Sequence, residues 1–136
     1  MTNIDITASN VIAAAGSRIQ TGIAGTTIAA GDVVYLLGST YVLADADLEP
    51  SAEVAGIALN GASTTQPFDF ITSGTLTIGV TNPVTLPALV YYLSDTAGKY
   101  ENTVPATGDF VSTVGIGLTS TTLSVQIHNS AIAKPA

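Results

Sequence analysis

Apolar and polar positions in this chain alternate with a period of two, and no segment keeps a helical period for more than about a turn. The clearest signal occurs twice. Val54-Ala55-Gly56-Ile57-Ala58-Leu59 and Val114-Gly115-Ile116-Gly117-Leu118 both alternate branched aliphatics with Gly or Ala. Such a strand has one face that fills a core and one nearly bare face that another backbone can approach closely. The pattern predicts that Ile57, Leu59, Val114, Ile116 and Leu118 point inward, together with Leu76, Ile78, Leu123, Val125 and Ile127 from neighbouring strands.

Each copy sits within the same series of elements. Residues 33–37 form an apolar strand, Gly38-Ser39-Thr40 a tight turn and residues 41–44 the return. A polar loop with Asp45, Asp47, Glu49 and Pro50 leads to the first central strand, and Pro67 opens its return at a position suited to a strand start. The second half replays this order. Residues 88–93 match 32–36, Asp95-Thr96-Ala97-Gly98 reads as a hairpin turn, and residues 110–118 and 123–128 close the unit. The expected fold is all-β: a single-domain β-sandwich or barrel of short antiparallel strands, with pseudo-repeats at 33–71 and 89–128 inside a domain spanning 26–128. Residues 1–25 read as an N-terminal arm or edge strand, and 129–136 as a loose C-terminal tail.

Composition narrows the partners. Of the 136 residues only 10% are charged, against about 25% in an average soluble domain. Apolar residues make up 46% and there is no Trp, so the core is built from small aliphatics and neighbours are expected to cover part of the surface. The net charge of −7, with Arg18, Lys99 and Lys134 the only cations, excludes nucleic acid and anionic membranes as expected partners. Without cysteine there is neither a disulfide framework nor a thiolate metal site. No secretory signal is visible at Met1-Thr2-Asn3-Ile4-Asp5, and no stretch approaches the length of a membrane span.

Candidate chemistry is sparse. His128, the only histidine, ends an alternating strand and reads as solvated, with no nucleophile or acid placed around it in a recognisable motif. Asp45, Asp47 and Glu49 could hold Ca²⁺, but the loop lacks the Gly turn and distal Glu of an EF-hand. Asp69 should point outward, within range of pairing with Arg18 or Lys99. Tyr35, Tyr41, Tyr91, Tyr92 and Tyr100 suggest a carbohydrate platform. Four of them fall at matching places in the two hairpins, which favours packing instead. No catalytic residue, cofactor or metal is expected, and the chain reads as no enzyme.

The assembled pattern carries a resemblance. Thr27-Ile28-Ala29-Ala30-Gly31-Asp32-Val33-Val34-Tyr35-Leu36 is similar to the T-I-x-A-G-x-x-V-Y-L opening of small tailed-phage head proteins. Val54 to Asn60, Ile71 to Gly79, Val90 to Gly98 and Gly115-Ile116-Gly117-Leu118 complete a set that resembles the capsid decoration, or cement, proteins over residues 26–128. That resemblance implies a structural virion protein, commonly a homotrimer, on the outer capsid surface. It would bridge major capsid proteins there after assembly in the host cytoplasm. The alternative is a receptor- or glycan-binding module of a phage tail fibre or bacterial surface. Residues 4–23 then have two readings. They lie along a neighbouring capsid surface, with Ile12, Ile19 and Ile23 burying apolar area and Arg18 as polar anchor, or they form an edge strand of the domain itself.

Overall fold

The computed structural model describes residues 11–47, 52–77, 90–94, 96–101, 108–118 and 122–133. They are all-β, as the period-two pattern requires. Ten strands follow in order: β1 (Ile12–Ala13), β2 (Arg18–Ile23), β3 (Val33–Leu37), β4 (Thr40–Leu43), β5 (Gly56–Ala58), β6 (Pro67–Thr77), β7 (Val90–Leu93), β8 (Tyr100–Glu101), β9 (Phe110–Gly117) and β10 (Thr122–Ala133). They pair antiparallel in one sheet that curls into a half-barrel. Its order, β4-β3-β5-β6-β10-β9-β7-β8, reads the same from either end: an outer hairpin, then an inner one. The two inner hairpins meet where β6 pairs with β10, from Ser73 opposite Gln126 to Thr77 opposite Thr122.

β6 is the axis of the molecule. Its other side carries β2, from Ile23 opposite Pro67 to Arg18 opposite Ser73, and then β1 opposite Leu76 and Thr77. Residues 12–23 are therefore strands of the domain's own sheet, and the edge-strand reading describes them. Gly74 marks the break between the two stretches. Its φ is +125°, and Ser17 crosses so close that no side chain fits there.

The first half closes on itself. Ala24 bridges Tyr41 in parallel, and the Gly25 N–H donates to the Tyr41 carbonyl at 2.8 Å, so β4-β3-β5-β6-β2 returns to β4. Ala24, Ile28, Val34, Ala58, Phe68 and Phe70 fill this ring, with Tyr41 and Leu43 packed against them. The Tyr41 and Phe70 rings are 4.8 Å apart between centroids, and Tyr41 meets Phe68 edge-on at 5.8 Å. The bare face of β5 is thus occupied, since a β-carbon on Gly56 would strike Phe70. A second core lies on the opposite face of β3, β5 and β6 and joins the halves. Val33, Ile57, Ile71 and Leu76 from the first side meet Tyr91, Leu93, Val114, Leu123 and Val125 from the other.

Of the positions expected inside, Ile57, Leu76, Val114, Leu123 and Val125 are buried. Leu59 and Ile127 are half-buried against the core, and Ile78 lies outside the described residues. Ile116 and Leu118 are corrections. Ile116 is only half-buried and Leu118 is 46% exposed. Both pairings of β9 shift register around Val114. It stands as an extra residue against β7, while on the other side β10 carries the extra residue, Gln126 and Ile127 together spanning Val114. Beyond that bulge Gly115 lies opposite the buried Tyr91 and Val125, so the glycine face is the inner one and Ile116 faces out with Val90.

The expected tail is a second correction, because β10 continues to Ala133, opposite Phe110. Asn129 shows what holds it. Its Oδ1 accepts from the Val54 N–H at 3.0 Å and its Nδ2 donates to the Val54 carbonyl at 3.1 Å, so the amide imitates a rung of the sheet. Nearby, the Ser112 hydroxyl donates to the Ala52 carbonyl at 2.6 Å. The end of the acidic loop is therefore tied to the second half.

Candidate interaction surface

β2 alternates about a wall. Gly22 and Ala24 turn inward, Gly22 lying under the Tyr41 ring with no room for a β-carbon, while Ile19, Thr21 and Ile23 turn outward. Ile19 is 48% and Ile23 42% exposed, and Thr21 between them donates its hydroxyl to Asp69 Oδ1 at 2.6 Å. Arg18 is exposed on the face opposite Ile19, and its carbonyl accepts from the Thr72 hydroxyl at 3.3 Å. β1 is anchored through the buried Val11 and leaves Ile12 63% exposed, beyond the break at Gly16-Ser17. The structure therefore groups Ile19 and Ile23 on one face, with Arg18 behind them and Ile12 set apart. Among the described residues no strand pairs the outer edge of β1 or β2, apart from the bridge at Ala24. An open strand edge is an invitation to another extended backbone.

The other candidates are placed as follows. His128 is exposed and lines an open cavity of about 380 Å³ with Val90, Thr113, Gly115, Ile116, Gln126 and Ile127. No carboxylate or thiol stands among these lining residues, so the imidazole has no partner for acid–base or nucleophilic work there. The cavity was not foreseen because the Val114 bulge creates it by turning Ile116 outward. Asp45 Oδ1 accepts the Asp47 N–H at 3.0 Å, a local turn, and no group of metal-ligating side chains forms among the described residues. Glu49 and Asp95 lie outside the described residues, and the side chain of Tyr100 does too. Tyr91 is fully buried and Tyr41 is part of the first core, while Tyr35 and Tyr92 are half-buried. A common exposed platform of tyrosines is not formed by these four.

Lys99 pairs with Asp32, not Asp69: its Nζ lies 3.8 Å from Asp32 Oδ1. This contact belongs to the seam between the halves. The Val33 N–H donates to the Gly98 carbonyl at 3.0 Å, and the Gly98 N–H to the Ala44 carbonyl at 2.7 Å. Burial pushes the Asp32 carboxyl above the usual carboxylate range, more than the Ala29 N–H and the Lys99 ammonium pull it down. The folded protein thus holds this proton more tightly than the unfolded chain does. Stability from this group is complete below the unfolded carboxylate pKa and is lost as pH rises through the higher folded value. Asp32→Asn keeps an acceptor for the Ala29 N–H and removes the buried charge. The variant should match or exceed the wild type in denaturation midpoint at neutral pH, with the gap closing on acidification. A gap that widens in acid would contradict the assignment.

In the comparisons with known proteins, the chain matches no protein-family model and no curated protein.

Proposed function

We propose that this protein is a structural, non-enzymatic component of a tailed-phage virion, which decorates the outer capsid surface as a homotrimer and stabilises the shell by bridging major capsid proteins. The observation that supports this most is the pair of exposed isoleucines on β2, beside a strand edge that β4 meets only at the Ala24 bridge. Bridging several partners suits a surface of this kind, since modest contacts made together give an avidity that none has alone. The low charge of the chain fits a surface meant to be covered, and the sequence resemblance to capsid decoration proteins points to the same role. Tyr91 and Tyr41, as interior residues, weaken the alternative of a tyrosine-based glycan site.

The test is co-sedimentation with expanded, undecorated capsids. Substitution is the right tool, because truncation to residue 17 would also remove Val11 and β1. Ile19→Asp combined with Ile23→Asp changes only outward positions, so the circular dichroism spectrum should stay that of the wild type. Each isoleucine buried at an interface contributes about 1.5–3 kcal/mol, so the pair should weaken capsid binding by at least about a hundredfold. Full decoration by the double variant would count against the surface. Failure of the wild type to bind any expanded capsid would count against the function.

A further inference from the structure

The loop after β5 holds a feature unrelated to shell binding. Asn60 is followed by Gly61, both are exposed, and neither belongs to a strand. The Asn60 amide is not free to wander: its Oδ1 accepts the backbone N–H of Asp69 at 2.8 Å. Gly61 is followed by Ala62, which is clamped to Ile28 by reciprocal backbone hydrogen bonds of 2.8 and 2.9 Å. The asparagine amide is thus held from one side while the backbone just beyond its successor is held from the other.

We infer that Asn60-Gly61 is a self-modification site, at which the Gly61 backbone nitrogen attacks the Asn60 side-chain amide. The Gly61 nitrogen, having lost its proton to solvent base, forms a bond to Asn60 Cγ. The C–N bond to the side-chain nitrogen breaks and ammonia leaves, giving a five-membered succinimide. Water then opens either ring carbonyl, to an aspartyl or a β-linked isoaspartyl residue. Asparagine and water become an acid and ammonia, with no oxidant or other reactant. Two features favour the step here. Negative charge builds on Oδ1 during the attack, where the Asp69 N–H already donates. Gly61 has no β-carbon to crowd the approach, and ring closure within one chain depends strongly on such geometry. Asn129 is the contrasting case, since both ends of its amide are tied to Val54 within a strand and it is followed by Ser130. The product places a new carboxylate beside Asp69, and the isoaspartyl form lengthens the backbone within the loop that β5 and β6 share.

The test is to hold the purified full-length protein at mildly alkaline pH and follow chymotryptic peptides by mass spectrometry, with enzymatic methylation of isoaspartyl groups as a second readout. Cleavage after Leu59, Phe68 and Leu123 separates Asn60 and Asn129 from the other asparagines. The Asn60 peptide should gain the mass of an amide-to-acid conversion and split into two isomers, the methylatable one in excess. The Asn129 peptide should stay intact over the same period. Gly61→Ala should slow the conversion by about an order of magnitude, by crowding the near-attack geometry. Gly61 sits in an exposed turn where a β-carbon comes no closer than 3.3 Å to the Ile28 carbonyl. An unchanged circular dichroism spectrum would show that the Gly61→Ala variant folds. If Asn60 survives as long as Asn129 in the wild type, the inference is overturned. Equal rates in the wild type and a folded Gly61→Ala variant would overturn it as well.

Discussion

Phe70→Ala should destabilise the protein by about 3–5 kcal/mol, the range for removing a buried aromatic ring. That is a large part of the roughly 5–15 kcal/mol that holds a domain together. Phe70 is 1% exposed and lies at the centre of the first-half ring, between Tyr41 and Phe68 and directly over Gly56. Few neighbours can move in to replace it. Gly56 has no side chain, Ala58 and Ala24 are small, and the ring of strands is already closed by the Ala24–Tyr41 bridge. The vacated volume would remain a cavity, and cavity volume adds to the lost transfer energy. Denaturant titration of wild type and variant measures this directly. A loss below about 1 kcal/mol would mean that the ring collapses, and that the first core is not the rigid unit described.

The second large effect concerns two adjacent residues whose importance is the reverse of what their size suggests. Gly115→Ala should cost about 3 kcal/mol, at the upper end of overpacking penalties. Ile116→Ala should cost only about 1 kcal/mol, the transfer energy of a side chain that is half in water already. A β-carbon on Gly115 would fall on the Ser124 carbonyl and come within 3.2 Å of Leu123 Cγ. The carbonyl belongs to the neighbouring strand and cannot retreat without loosening the β9–β10 ladder. Ile116 borders the open cavity, so its truncation widens a space that solvent reaches. If Ile116→Ala proves the more damaging of the two, the inward face of β9 is the isoleucine face after all and the bulge at Val114 is misplaced.

These two residues also mark how far the sequence could be read. Alternation identified the strand class and the hairpin series, and it placed Ile57, Leu76, Leu123 and Val125 inside, because a half-buried strand must separate its faces every second residue. It went wrong at Ile116 and Leu118 because one inserted residue inverts the phase of everything after it, and a bulge leaves no mark in a Gly- and Thr-rich strand. β10 ran past its expected end for a similar reason. What orders residue 129 is an amide-to-backbone contact with Val54, distant in sequence, which no local pattern encodes. The interaction surface was partly legible. The alternation of Ile19 and Ile23 with other residues marked them as apolar positions able to meet a partner, but the long β6 that receives β2 shows only in three dimensions. The Asp32–Lys99 contact was hidden in the same way, Asp32 lying in the connection that leads into β3 and Lys99 in the turn between β7 and β8.

The claim that this protein stabilises a shell from outside is tested most directly by thermal challenge of expanded phage capsids, bare and saturated with the protein, followed by light scattering and release of packaged DNA. The reading of the protein as a bridge predicts that the decorated shells open at a distinctly higher temperature, and that shells treated with Ile19→Asp/Ile23→Asp protein open with the bare ones. Wild-type protein that saturates the shells but leaves their opening temperature unchanged would contradict it.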